Sequence, residues 1–447
     1  MLGARSGPHW IGPVELVWRA RGALRRRDGG SVLRRITNGA TTATGLRIRG
    51  QHTLILLDPA HAGELLVDLA PSTTKGPGLQ LTRPLLGNGL LTSEGEEHRR
   101  VRRLVAPAFS PKRLAGYVDT FAGRTEAMLE RWSDGATVDV YDEMGALTLD
   151  IVGQTLLGLD LSADTTGIRS ALEAGLTAFA QIGFPLTPRR GVPADLTRLA
   201  PPELDAVHRV VDEIIETRRG STLGDRGDVV SALLAAAAEP RGLTPQEVHD
   251  NVVTLLMAGH ETTANALAWT FHLLGRHRDV ERALRAEVDG LGGRAVTSED
   301  LPRLTYTRAV VSESIRLFPP AWVMGRTVTS DARFGEWRVP AGSTVAVSPL
   351  LMQHDERWFP EPERFDPQRW LDERKDTVPR YAYIPFGTGP RSCIGEQFAW
   401  MEAVTVLATV AARVALRPVT GHTVTPQFRV TLRPGNGMPM TVVRNTE

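Results

Sequence analysis

The stretch Phe386-Gly387-Thr388-Gly389-Pro390-Arg391-Ser392-Cys393-Ile394-Gly395 holds the only cysteine of a 447-residue chain. It reads as a glycine-rich turn running into a helix. A cysteine just ahead of a helix N-terminus, two residues from the Arg391 guanidinium, is expected to have a depressed pKa, because the helix dipole and the cation both favour the anion. A soft thiolate of this kind can ligate iron. A lone cysteine is also among the most often buried residue types, so a small packed core residue competes with that reading. A phosphate cradle is excluded: a P-loop requires Lys-Ser/Thr after its last glycine, and the dinucleotide fingerprint requires a third glycine where Ser392 stands. On local sequence alone, the metal-bound thiolate and the packed cysteine both stand.

Phe386, Gly389, Arg391, Cys393 and Gly395 reproduce the pattern Phe-x-x-Gly-x-Arg-x-Cys-x-Gly. At all five fixed positions the chain resembles the haem-binding signature of the cytochrome P450 family. The resemblance implies haem b (iron protoporphyrin IX) with Cys393 as its axial thiolate, whose electron donation favours O–O cleavage. Phe386 would shield the sulfur from water. Gly389 would permit a tight turn with backbone N–H groups aimed at the thiolate. Gly395 would let the following helix approach the porphyrin closely.

Thr244-Pro245-Gln246-Glu247 has the form of a capping box with proline at the first helical position, opening a helix that continues to about His277. Near its middle, Ala258-Gly259-His260-Glu261-Thr262-Thr263 matches the family's Ala/Gly-Gly-x-Asp/Glu-Thr-Thr, so Ala258 is expected against the cofactor. Gly259 weakens the helix locally. The Thr262 hydroxyl can bond the Ala258 carbonyl one turn back, which is expected to widen the ladder and bend the helix. By resemblance, Glu261 and Thr262 are the acid and alcohol that relay protons to bound O2, the co-substrate. His260 occupies a variable family position and is expected to be structural or solvent-facing.

Glu313 and Arg316 sit at i,i+3 on a helix stopped by Phe318-Pro319-Pro320, and match the family's Glu-x-x-Arg pair. The resemblance makes them a buried brace, with Arg364 favoured over Arg369 as third partner. Haem propionates need cations. His98 and Arg102 match the family's His-x-x-x-Arg pair, and Arg326 and Arg391 complete the set. Arg99, Arg100 and Arg103 are then free to face an acidic ferredoxin. Apolar residues at the family's substrate-contacting regions include Leu85, Leu90, Phe179, Leu255, Val323 and Met324, which fits a lipophilic substrate. Ala321-Trp322-Val323-Met324-Gly325-Arg326 resembles bacterial terpene-oxidising members, and a fatty-acyl substrate also fits.

Composition bounds the rest. The net charge of +1 argues against nucleic-acid binding, and one cysteine excludes an intramolecular disulfide framework. No repeat or Gly/Ser linker divides the chain, so residues 1–447 are expected to form one catalytic domain, with an Arg-rich, peripheral segment over 1–40. Turn residues around Thr44–Arg49 and Thr53–Pro59 predict a hairpin, the region from about Ser110 to Gly290 reads as mostly helical, and strand character returns after Ala321. The expected fold is mainly α with a smaller β-rich region, as in the P450 fold. Pro13, Glu15, Arg19 and Arg21 interrupt the early apolar stretches, so no transmembrane anchor is expected. Arginine far outnumbers lysine, which suggests a bacterial, cytoplasmic protein. The stretch after Cys393 is too short for a flavin reductase, so a separate ferredoxin and ferredoxin reductase are expected to supply electrons. The combined reading is a haem-thiolate monooxygenase. A peroxygenase or isomerase is the alternative enzyme, disfavoured by the intact Glu261-Thr262 pair, and a non-catalytic haem sensor is the alternative outside enzymes.

Overall fold

A computed structural model describes residues 10–12, 15–16, 19, 29–48, 50–159, 203–219, 227–371 and 373–445. The chain enters through strand β1 (Trp10–Ile11) and helix α1 (Gly29–Thr37), then makes the expected hairpin, β2 (Ala43–Ile48) against β3 (Gln51–Leu56), with Gly50 at φ 79° in the turn. After β4 (Thr73–Lys75) come α2 (Gly95–Val105), α3 (Val118–Glu130), β5 (Thr137–Asp139), α4 (Val140–Val152), α5 (Glu203–Arg219) and α6 (Val229–Ala237). The long helix α7 (Pro245–Arg276) follows, then α8 (Arg278–Asp289) and α9 (Thr305–Leu317). Strands β6 (Met324–Val328), β7 (Ala332–Phe334), β8 (Trp337–Val339) and β9 (Thr344–Val347) precede α10 (Glu396–Arg413). The chain closes with β10 (Val414–Pro418), β11 (Pro426–Phe428), β12 (Leu432–Pro434) and β13 (Pro439–Arg444).

The main sheet has the order β1-β2-β3-β9-β6-β4, and a second has β10-β13-β5. β1 pairs parallel with β2, and Leu33 and Ile36 of α1 are fully buried, so the described part of the 1–40 segment belongs to the sheet layer. β5 interrupts a region that reads as helical. Thr137, Val138 and Asp139 are extended because β13 pairs with them across three hundred residues of sequence, a partner that no local pattern announces.

Helix ends follow local chemistry. Asp139 caps α4 through the Tyr141 N–H at 3.0 Å, and Asp228 caps α6 through the Ser231 N–H at 2.7 Å. The capping box of α7 is formed on both sides, Glu247 N–H to Thr244 Oγ1 at 3.2 Å and Thr244 N–H to Glu247 Oε2 at 2.8 Å. At 32 residues α7 is about 48 Å long. It is buried along most of its length, and α4 packs directly on it at Gly259, where an added Cβ would lie 3.2 Å from Val152.

One carboxylate ties α9 to the segment leading toward the cysteine loop. Glu313 and Arg316 are both 0% exposed. Arg316 Nε donates to Glu313 Oε2 at 2.8 Å and Nη2 to Oε1 at 2.9 Å. Glu313 also accepts from the Trp370 indole at 2.9 Å, the Asp366 N–H at 3.1 Å and Arg369 Nε at 3.2 Å. The third side chain of the brace is therefore Arg369, not Arg364. Arg364 contributes only its carbonyl, 3.1 Å from Arg316 Nη2, while its guanidinium lies on the surface beside Glu361. Trp370 and Arg369 share one 3₁₀ turn (Pro367–Trp370) that starts on the Asp366 cap, and that turn aims both donors inward.

Arg316 still pairs with Glu313 when Arg369 is removed, but one buried charge-assisted hydrogen bond is lost, so Arg369→Ala should cost about 2 kcal/mol in urea unfolding. The exposed Arg364→Ala should cost under about 0.5 kcal/mol. Equal losses would return the third place to Arg364.

Candidate active site

The loop of Phe386–Gly395 is built on glycine geometry at two points. Gly387 and Gly389 have φ of 68° and 72°, and a Cβ on Gly389 would lie 2.3 Å from the Leu66 carbonyl. The Cys393 N–H donates to the Phe386 carbonyl at 2.9 Å, which closes the loop. Phe386 packs on Trp400 of α10, with ring centroids 5.5 Å apart.

Cys393 is exposed, yet protein surrounds it closely enough that burial pushes its thiol pKa up. Both hold because the sulfur is open to solvent while protein atoms crowd the space around it. The acidified thiol expected from sequence is not found in the protein alone. Desolvation outweighs the Gly395 N–H and the Arg102 charge that pull the other way. Arg391 does not supply the expected charge: its guanidinium is turned to Glu94 and to the Ser93 carbonyl at 2.7 Å. At Gly395 the backbone has an ordinary φ of −87°, and an added Cβ would meet nothing nearer than Cys393 Sγ at 3.9 Å. No protein contact calls for glycine there. The space beside the sulfur suits a flat group laid against it.

In α7, Ala258 is exposed and Thr262, one turn on, is half-buried, although Asn251 to Met257 before them are all buried. This interior exposure marks the helix's open face. Thr262 Oγ1 donates to the Ala258 carbonyl at 2.8 Å, as its spacing predicts. The helix nevertheless stays continuously α-helical, without the expected opening of the ladder. The packing of Val152 at Gly259 and the Thr148 hydroxyl, which donates to the His260 carbonyl at 3.1 Å, hold this turn from α4. His260 is buried and structural, its Nδ1 2.8 Å from the Leu256 carbonyl. Glu261 is buried on a different face from Thr262, as adjacent helical residues must be. Its Oε1 accepts from Thr431 at 2.7 Å, and Thr431 accepts from Asn265 Nδ2 at 3.1 Å.

Five bases converge behind the cysteine loop. His98 and Arg102 lie one turn apart on α2, and Arg102 Nη1 donates to the Ser392 carbonyl at 2.8 Å. Arg326 on β6 pairs in register with Lys75 on β4. Burial, then repulsion by Arg326 and Arg391, brings Lys75 down to about 7. Burial and the same cations hold His98 at about 3, and burial with Arg391 lowers Arg326 to about 10. Among the described residues the one carboxylate in contact with this cluster is Glu94, which accepts from Arg391, Gln80 and the Lys75 backbone N–H. Such a cluster is stabilised by an anion with more than one carboxylate. With the exposed Cys393 thiol and the free space at Gly395, the donor set fits a haem with two propionates. Lys75 and Glu94 escape sequence reasoning. The only signal was that Lys75 is one of very few lysines in an arginine-rich chain.

The remaining residues divide. Leu90 and Leu255 share one buried cluster, Val323 lies in a second, and Met324 packs on a third. Met324 reaches the cysteine loop, its sulfur 3.6 Å from where a Gly387 Cβ would stand. Phe179 and the Leu85 side chain lie outside the described residues. Arg99 and Arg103 are exposed, but Arg100 is not available to a partner, because it is held by Glu247 and, at 3.0 Å, by the Gly242 carbonyl.

A thiol loop, a long threonine-bearing helix and a buried cation cluster stand together on a mainly helical fold. The family model for Cytochrome P450 matches residues 20–438, and the chain belongs to that family. It is a P450 monooxygenase. It is 40% identical to cyclooctatin synthase of Streptomyces melanosporofaciens over 87% of this chain and 86% of that protein. It is also 40% identical to cyclooctat-9-en-7-ol 5-monooxygenase of the same organism, over 78% and 77%. Pentalenene oxygenase of Streptomyces avermitilis is 38% identical over 75% and 76%. The crystal structure of the cytochrome P450DA heme domain superposes with a TM-score of 0.86 at 26% identity, covering 99% of this chain and 98% of that one. Among the described residues, no helix is long and apolar enough to cross a membrane.

Two linkage windows follow from the depressed bases. Lys75 in the folded chain holds fewer protons than in the unfolded chain between about 7 and its ordinary 10.5, and His98 does so between about 3 and 6.5. Stability of the haem-free chain should therefore rise with pH through each window. Lys75→Met should flatten the upper rise in thermal midpoint, and a variant as pH-dependent as the parent would refute the buried charge.

Proposed function

We propose that Cys393 would hold the iron of a haem b and that this enzyme oxidises a terpenoid, with electrons from a separate ferredoxin and ferredoxin reductase. The observation that carries this reading is the pairing of an exposed thiol with five neighbouring bases that share the carboxylate of Glu94. When bound, the haem supplies dioxygen activation, through which one oxygen atom enters the substrate and the other leaves as water. His98, Lys75, Arg102, Arg326 and Arg391 would hold its propionates, and Phe386 with Trp400 would keep water from the sulfur. Glu261 would take up protons at Oε1, steadied by Thr431, and Thr262 would hold one at Oγ1 on the open face of α7.

Terpenoid substrates are supported by the names of the Streptomyces relatives and by the apolar side chains of Leu90, Leu255 and Val323. The same relatives, both from Streptomyces, support a bacterial source. Exposed Arg99 and Arg103 suit an acidic electron donor. The intact Glu261-Thr262 pair favours oxygen over peroxide as the oxidant.

Cys393→Ala should abolish the thiolate-type absorbance of the reduced carbon monoxide complex, and a variant that kept this absorbance would sink the ligand assignment. Thr262→Ala should slow product formation by about a hundredfold, the lower range for a proton-transfer group, while reductant is still consumed and hydrogen peroxide appears. Unchanged coupling would remove Thr262 from the relay.

A further inference from the structure

The first turns of α7 grip the segment Leu86–Leu90 by two side chains that the haem site does not use. The Asn88 N–H donates to Asp250 Oδ2 at 2.6 Å, and the Leu90 N–H donates to Asn251 Oδ1 at 2.9 Å. Each acceptor is pinned from the helix side. Gln246 Nε2 donates to Asp250 Oδ1 at 2.7 Å, and Asn251 Nδ2 donates to the Glu247 carbonyl at 2.6 Å. Asp250 and Asn251 are buried, so these bonds are made without competition from water.

Two glycines allow the close approach. Gly87 has φ 58°, and a Cβ there would lie 2.2 Å from the Asp250 carboxyl carbon; a Cβ on Gly89 would lie 2.3 Å from Thr254 Oγ1. The segment also folds on itself, with Thr92 Oγ1 donating to the Gly87 carbonyl at 2.7 Å. A third element joins at the same carboxylate. His249 Nδ1 lies 3.4 Å from Asp250 Oδ1, its ring stacks on His208 of α5 at 5.1 Å between centroids, and its Nε2 is 3.5 Å from Asp212. Leu90 sits at the end of the gripped segment. Leu255 lies one turn beyond Asn251 on the same face of α7, and both leucines belong to one buried cluster.

We propose that Asp250 and Asn251 are specificity-determining positioning residues: they set where Leu90 stands against α7, and His249 couples that setting to α5. The proposal rests on the reading that Leu90 and Leu255 border the substrate space. A wall held by backbone N–H groups has one register. Loss of either acceptor leaves a buried N–H unpaired and lets the wall shift by a fraction of a side chain. The consequence is altered size discrimination, with the haem and its ligand loop untouched.

The test uses the holoenzyme and two iron-binding probes, imidazole and the bulkier phenylimidazole, titrated by their Soret shift. Asn251→Ala and Asp250→Ala should change the ratio of the two dissociation constants by about tenfold, the worth of a misplaced methylene contact in an apolar pocket. Imidazole affinity and the carbon monoxide spectrum should stay as in the parent. Asp250→Asn, which keeps an oxygen for the Asn88 N–H while the Gln246 amide can turn to accept, should restore the parental ratio. Should an alanine variant fail to fold, Gly89→Ala, whose Cβ would press on Thr254, carries the same measurement. A parental ratio in every variant, or parallel weakening of both probes, overturns the proposal. The azole ratio does not depend on the terpenoid reading, which a titration with pentalenene examines separately.

Discussion

A buried carboxylate with five hydrogen-bond donors is the constraint on which the rest of this fold depends. Glu313 has no solvent to fall back on, so every donor around it must be in place: Arg316 twice, Arg369, the Trp370 indole and the Asp366 N–H. These donors come from α9 and from the turn at Pro367–Trp370, and Arg316 also reaches the carbonyls of Gln353 and Arg364. The carboxylate therefore fixes three stretches of chain relative to one another before the cysteine loop begins. Tyr383, whose hydroxyl donates to the Ser312 carbonyl at 3.1 Å, continues the attachment of that approach to α9.

On the other side of the same framework the electrostatic arrangement is reversed. Where Glu313 gathers enough cations to balance it, Lys75, His98, Arg102, Arg326 and Arg391 gather with one carboxylate between them. The lowered pKa values of Lys75 and His98 come first from burial and then from that imbalance. The first cluster is complete within the protein and holds structure. The second carries positive charge that its own carboxylate does not balance, which is what supports the proposed cofactor site there.

Local signals were legible wherever a few residue types at short spacing carry the geometry. The capping box of α7, the Thr262 bond to Ala258, the β2-β3 hairpin and the loop closed from Cys393 to Phe386 all follow from such spacing. Reasoning from neighbours failed where two candidates differed only in direction. Arg364 and Arg369 are equally basic, and only the 3₁₀ turn after Asp366 decides which points inward. Arg100 looked as exposed as Arg99 until the end of α7 turned out to hold it. The thiol pKa moved against expectation because desolvation depends on everything nearby, while the sequence names only what is adjacent in the chain.

The sequence by itself determined that Cys393 stands in a glycine turn before a helix, that a long helix carries Glu261 and Thr262, and that the chain has the motifs of a P450. These are short-range facts, written in dihedral preferences and helical periodicity. Tertiary structure alone decided that Lys75 and Glu94 join the cation cluster, that Arg369 completes the brace, and that Asp250 and Asn251 grip Asn88 and Leu90. Each of these pairs residues from distant parts of the chain, and its energy comes from burial, which exists only once the whole chain has closed around it.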